Sequence, residues 1–174
     1  MRQTKKITLS AILVALGVAF MALGAVIDAL DLSVCALASL LVVFVYIEIG
    51  SPYTWLVWIC TSLITAIIFP GSVLWVEYFL VFGIYPLIKA YIERLPKVFW
   101  WIVKLVFFNI IVWTMFVVVE FVLGLAFFEG DKLIWKALLY VLMNVAFVAY
   151  DMFITVMVRL YYDKFRRRFL RFLK

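Results

Sequence analysis

The ionisable and amide side chains deep inside the long apolar stretches of this sequence are the residues best placed to do chemistry. Four are ionisable and two are amides: Glu77, Lys104, Glu120, Asp151, Asn109 and Asn144. An ionisable group in an apolar environment is costly. It usually faces the interior of a helical bundle, where it meets a partner group or a ligand. These six positions are therefore the candidates for function.

One group of candidates is predicted to share a depth with several aromatic residues. Glu120 and Asn144 lie in the second half of the fifth apolar run and the first half of the sixth, and Glu77 lies one turn inside the fourth. The aromatic residues predicted at this depth are Trp75, Tyr78, Trp113 and Tyr140. Aromatic walls around two carboxylates suit a small ligand that carries an amine or several hydrogen-bond donors. In the alternative interpretation, Glu77 reaches the membrane interface and Glu120 is tied to a neighbouring side chain.

A second group, Lys104, Asn109 and Asp151, is predicted nearer the opposite membrane surface. A short connection around Gly130 makes the fifth and sixth runs antiparallel, which puts Asn109 and Asp151 at about the same depth. The long stem of Lys104 can reach toward Asp151 or extend to the surface. We interpret this group as a structural tie between two helices.

Enzyme chemistry finds little support in the residue types present. The chain has no histidine, the commonest metal ligand and proton carrier near pH 7, and its carboxylates are scattered. Cys35 and Cys60 lie in apolar runs without the spacing of a metal site. The sequence therefore predicts a protein that is not an enzyme and that holds no metal or cofactor.

The candidates are positioned by segments long enough to cross a bilayer. Of the 174 residues, 70% are apolar and 15% are charged, whereas soluble domains are about half apolar and about a quarter charged. A helix needs about 20 apolar residues to span the hydrocarbon. Six runs approach or exceed this length, at about 7–27, 32–49, 53–69, 73–91, 98–128 and 133–160. We predict an all-α, six-transmembrane-helix bundle over residues 1–160.

The basic residues predict the orientation of this bundle. Lysine and arginine concentrate before the first run, between residues 89 and 97, and from Arg159 onward. With six spans these regions all face the same side, and the positive-inside rule makes that side cytoplasmic for both termini. The excess of positive charge therefore indicates membrane topology, and no nucleic-acid partner is expected. The tail, 161–174, alternates bulky and basic residues and is predicted to lie along anionic lipid.

A row of alanines gives the first run a face for helix contact. Ala11, Ala15 and Ala19 recur every four residues and so lie on one side of a helix. Small residues at this spacing allow another helix to approach closely, either within the bundle or from a partner protein.

The chain resembles the substrate-binding S components of energy-coupling factor (ECF) transporters. The layout of under two hundred residues and six spans is similar throughout. The opening 4–16, TKKITLSAILVAL, is similar to the start of that family. Ala11 and Ala15 match its Ala-x-x-x-Ala motif, which meets the membrane coupling subunit. The end, from Asp151 through Tyr161 to the arginine run, is similar to the family's last helix.

This resemblance implies a subunit of a bacterial plasma membrane that captures a vitamin or other micronutrient from outside. The implied partners are one membrane coupling subunit and two ATPase subunits. The chain has no Gly-x-x-x-x-Gly-Lys phosphate loop, so transport would depend on those ATPases. The candidate pocket residues match no single ligand specificity within the family.

A non-transporting scaffold is the alternative function. The six-span cell-shape protein MreD is similar in layout, and a protein of that kind would need a protein partner but no ligand pocket. Polar residues clustered in the outer half favour substrate capture.

Overall fold

The computed structural model describes residues 3–124 and 133–166, and this part of the chain is helical with no strand. The helices are α1 Gln3–Val26, α2 Asp31–Glu48, α3 Ser51–Ile68, α4 Leu74–Glu77, α5 Tyr85–Ile92, α6 Lys97–Val118 and α7 Leu133–Leu160. A 3-10 turn, Asp28–Leu30, precedes α2. Wider π-helical turns follow α4, α6 and α7 at Tyr78–Phe82, Val119–Leu123 and Tyr161–Phe165.

Six of the resulting segments are long and apolar enough to cross a membrane, which confirms the predicted all-helical architecture with six candidate spans. The fourth is composite, because α4, its π-helical turn and α5 together form the span Leu74–Ile92. In the described chain the fifth ends at Gly124, whose φ of 64° is left-handed. Residues 125–128 of the predicted span lie outside the described residues. The sixth continues beyond residue 160 through Phe165. Residues 167–174 of the predicted tail also lie outside the described residues.

Two apolar cores hold the spans together. The first joins α1, α2 and α3 through residues such as Met21, Val42 and Val57, all of them buried. The second joins the composite span to α6 and α7 through residues such as Val112 and Phe147. The spans expose many large apolar side chains on their other faces, as a bundle surrounded by lipid requires.

The π-helical turn in the fourth span frees a backbone carbonyl. The Gly83 N–H donates to the Tyr78 carbonyl at 2.7 Å instead of to that of Phe79, and Trp58 Nε1 of α3 donates to the Phe79 carbonyl at 3.2 Å. A Cβ on Gly83 would overlap the Trp58 ring and come within 2.8 Å of the Tyr78 carbonyl oxygen. Glycine at 83 therefore lets α3 pack directly on the turn.

Pro86 leaves a second carbonyl without its helical donor. In a regular helix the N–H of residue 86 would donate to the carbonyl of Phe82, but proline has no N–H. The Tyr150 hydroxyl of α7 donates to that carbonyl at 2.9 Å. Because lipid offers no substitute donor, this bond fixes α7 against the middle of the fourth span.

Contacts between helix ends show that both ends of the described chain lie at one end of the bundle. Lys6 is 5.8 Å from the ring centroid of Tyr53 at the start of α3. Arg166 Nε lies 3.4 Å from the Glu48 carboxylate at the end of α2. We call this the terminal end, and we call the end where α2 begins the opposite end.

Candidate functional site

A buried ion cluster ties three spans together in the terminal half of the bundle. Asp151 of α7 accepts hydrogen bonds from the Tyr85 hydroxyl at 2.5 Å, from Lys89 Nζ at 2.5 Å and from Lys104 Nζ at 2.9 Å. Lys104 also lies 2.9 Å from Glu93. The side chains of Lys89, Lys104 and Asp151 are each no more than 6% exposed. Two lysines and two carboxylates balance in charge, as a buried cluster requires.

The structure brings Lys104 and Asp151 together and places Asn109 in a different group. The Asn109 side-chain amide donates to Asn144 Oδ1 at 3.2 Å, and Tyr140 donates to Asn109 Oδ1. These three residues line a shallow groove of about 340 Å³ between α6 and α7 on the outside of the bundle. Asn144 and Tyr140 of the predicted pocket therefore connect two helices on the surface.

An aromatic layer lies above the ion cluster, toward the opposite end. Phe108 stacks on Phe147 with ring centroids 4.2 Å apart. Tyr85 meets the edge of Phe147 at 4.8 Å, and Phe82 meets Tyr150 at 4.8 Å. The hydroxyl of Tyr85 points away from this layer into the cluster, where it reaches Asp151. The layer thus separates the charged groups from the space above them.

That space is a cavity of about 570 Å³ between α2, the fourth span, α6 and α7. It reaches from the first turn of α2, at Leu32 and Ser33, down to the aromatic layer. Its side walls are apolar: Ala36, Leu37, Val81, Val112, Met115, Met143, Ala146 and Ala149. The aromatic part of the lining is Phe82, Phe108, Phe147, Tyr150 and Phe153. The volume falls within the range of about 300–1,000 Å³ that is typical of small-molecule sites.

Glu77 is the one carboxylate in the described lining of this cavity. Its Oε2 atom is buried and has no hydrogen-bond partner among the described residues. The described lining contains no lysine or arginine. The cavity therefore combines an apolar interior with a buried carboxyl oxygen that has no hydrogen-bond partner among the described residues.

The remaining residues of the predicted pocket lie elsewhere, so the pocket expected around Glu120 differs from the cavity found. Glu120 and Trp113 are exposed on the outer face of the fifth span, and Trp113 is 65% exposed. Tyr78 is fully buried in the first core, and Trp75 Nε1 donates to the Pro70 carbonyl at 3.4 Å. The physical reason lies in the fifth span, where residues 113 and 120 are on exposed positions and Val112, Met115 and Val119 form the buried face.

The alanine row lies on the exposed side of α1. Ala11, Ala15 and Ala19 are all exposed, whereas Leu13, Gly17 and Met21 are buried against the bundle. At Gly17, an added Cβ would lie 3.0 Å from the Thr61 side chain of α3. The close helix approach inside the bundle therefore uses Gly17, and the alanines are left facing outward.

Three members of the ion cluster were not among the predicted residues: Tyr85, Lys89 and Glu93. Their spacing of four residues places all three on one face of the fourth span. That periodicity could have indicated a shared polar face in the fourth span. However, a lysine at position 89, near the end of a span, is also explained by the positive-inside rule. Within 3–124 and 133–166, no three acidic, cysteine or histidine side chains converge as a metal site would require.

No family model, curated protein or solved structure matches this chain. Its function must therefore be inferred from the cavity, the ion cluster and the exposed faces of the helices.

Proposed function

We propose that this chain is a membrane-embedded substrate-capture subunit of the ECF S-component type, which binds a small micronutrient from outside for uptake powered by separate ATPase subunits. One observation carries the proposal, namely the cavity of about 570 Å³ with the buried Glu77 oxygen in its wall. A scaffold has no need for such a space, because lipid-surrounded helices gain from close packing. The cavity reaches the opposite end of the bundle, which is the outer surface if the basic terminal end is cytoplasmic.

The other parts of the molecule fit this role. The aromatic layer and the ion cluster close the cavity on the terminal side, so a captured molecule would not pass through the isolated chain. The exposed face of Ala11, Ala15 and Ala19 is available to a partner helix. We infer that this face meets a membrane coupling subunit, and that two ATPase subunits supply the energy for release inside.

Native mass spectrometry of the protein purified in mild detergent from its own host tests the capture function. We expect a bound small molecule on the wild-type chain and its loss from Ala146→Phe, in which a larger side chain fills the cavity. Glu120→Gln is the matched control, because Glu120 lies outside the cavity, and this variant should keep the molecule. A wild-type spectrum with protein partners and no small molecule would instead favour the scaffold function.

A further inference from the structure

We propose that the cavity binds a small amine whose ammonium group sits at Glu77 and whose apolar body fills the space above the aromatic layer. This inference rests on the proposed capture function and narrows the class of substrate. It follows from the charge, the walls and the hydrogen-bonding groups of the cavity.

The charge of the cavity calls for a cation. A carboxylate removed from water is costly unless a positive charge or a hydrogen-bond donor compensates it. Asp151, in the same bundle, has two lysines and a tyrosine hydroxyl as partners. Glu77 has a buried oxygen without a described hydrogen-bond partner and no basic residue in the described lining beside it. A positively charged group on the ligand supplies a charge that the described lining lacks at this position.

The walls select an apolar body for that ligand. Below Glu77 the lining is aliphatic and aromatic, with ring faces from Phe82, Phe108 and Phe147. Apolar surface gains free energy by leaving water for such walls.

The scarcity of polar groups excludes sugars, polyols and other highly polar molecules. Besides Glu77, the polar side chains of the described lining are those of Ser33 and Tyr150. The Tyr150 hydroxyl already donates to the Phe82 carbonyl. A ligand with many hydroxyl groups would leave most of them without partners, and each unpaired group reduces affinity. A ligand with one ammonium group and few other polar atoms matches the cavity.

The test uses isothermal titration calorimetry of the full chain in lipid nanodiscs with three probes of nearly the same shape. Tryptamine carries an ammonium group, 3-ethylindole has no charge, and indole-3-propionate carries a carboxylate. We expect tryptamine to bind at least about tenfold more tightly than 3-ethylindole, and indole-3-propionate not to bind. Glu77→Gln should remove the advantage of tryptamine, and Glu120→Gln should preserve it. Empty nanodiscs correct for partitioning into lipid.

Equal affinities of the charged and uncharged probes, an unchanged preference in Glu77→Gln, or no saturable binding of tryptamine would each overturn the amine proposal. A failure of the amine proposal can be distinguished from a failure of the proposed capture function. A co-purified host molecule without a basic nitrogen would leave capture standing and refute the amine. No co-purified molecule, together with no probe binding, would refute both.

Discussion

At the scale of single residues, Asp151 is the group on which the terminal half of the bundle depends. Its carboxylate receives three donors from two other spans, and the two lysines among them are almost fully buried. A buried ion pair adds little over an apolar contact, but removal of one partner leaves the other charge uncompensated.

Replacement of Asp151 by asparagine should therefore destabilise the chain strongly. The variant keeps the size of the side chain but leaves Lys89 and Lys104 with Glu93 as their only carboxylate partner in the described cluster. We expect a loss of about 3–5 kcal/mol in the free energy of unfolding, measured by denaturant titration in detergent.

Asp163→Asn is the matched control, because Asp163 is an exposed carboxylate on the helical extension of α7. Its effect should stay within about 0.5 kcal/mol. Equal stability of the two variants would show that the cluster is not the structural tie described above.

Depth along the helices was enough to predict that Lys104 could reach Asp151, since both lie in the same half of neighbouring antiparallel spans. Depth could not predict which of the two carboxylates, Glu77 or Glu120, lines the cavity. Both are single carboxylates in the half of an apolar run nearer the opposite end, and a helix that is apolar on all sides gives no periodicity to identify its buried face. The side of α6 that faces the cavity is decided by packing against α7 and the fourth span.

At the scale of helices, the bond from Tyr150 to the Phe82 carbonyl compensates for Pro86. Tyr150→Phe removes the hydroxyl and leaves a buried carbonyl unsatisfied, which should cost about 1–3 kcal/mol of stability. The unfolding free energy of the variant in detergent, relative to the wild-type chain, measures this cost.

A second substitution provides the control for that interpretation. Pro86→Ala restores an N–H four residues after Phe82, so Tyr150→Phe should cost less in the Pro86→Ala background than in the wild type. A cost that is the same in both backgrounds would mean that the hydroxyl stabilises the fold in some other way.

Hydropathy and length predicted all six spans, because lipid demands long apolar helices whose backbone groups are satisfied internally. They could not predict the π-helical turn at Tyr78–Phe82. That turn depends on Trp58 from another helix donating to the Phe79 carbonyl, and such a tertiary contact leaves no local periodicity. Pro86 marked the region as irregular but did not indicate which side chain would compensate.

At the scale of the whole molecule, the described chain is arranged in layers along the axis of the helical bundle. The cavity with Glu77 lies toward the opposite end, the aromatic layer lies below it, and the ion cluster and the basic terminal end follow. The distribution of lysine and arginine along the sequence predicted that the basic regions lie together at one end of the bundle. The cavity was less predictable, because it is a gap between helices whose lining residues are nearly all apolar.

The accessibility of one cavity residue in living cells tests substrate capture from outside most directly. Ser33 lines the cavity at its opposite-end rim, and Ser33→Cys can be studied in a chain with Cys35 and Cys60 replaced by alanine. A membrane-impermeant maleimide is applied to intact cells, with and without the small molecules released from denatured wild-type protein. Material released from Ala146→Phe is the control. We predict labelling from outside that the wild-type extract slows and the control extract does not. Labelling only after permeabilisation, or at a rate that neither extract changes, would contradict an outward-facing capture site.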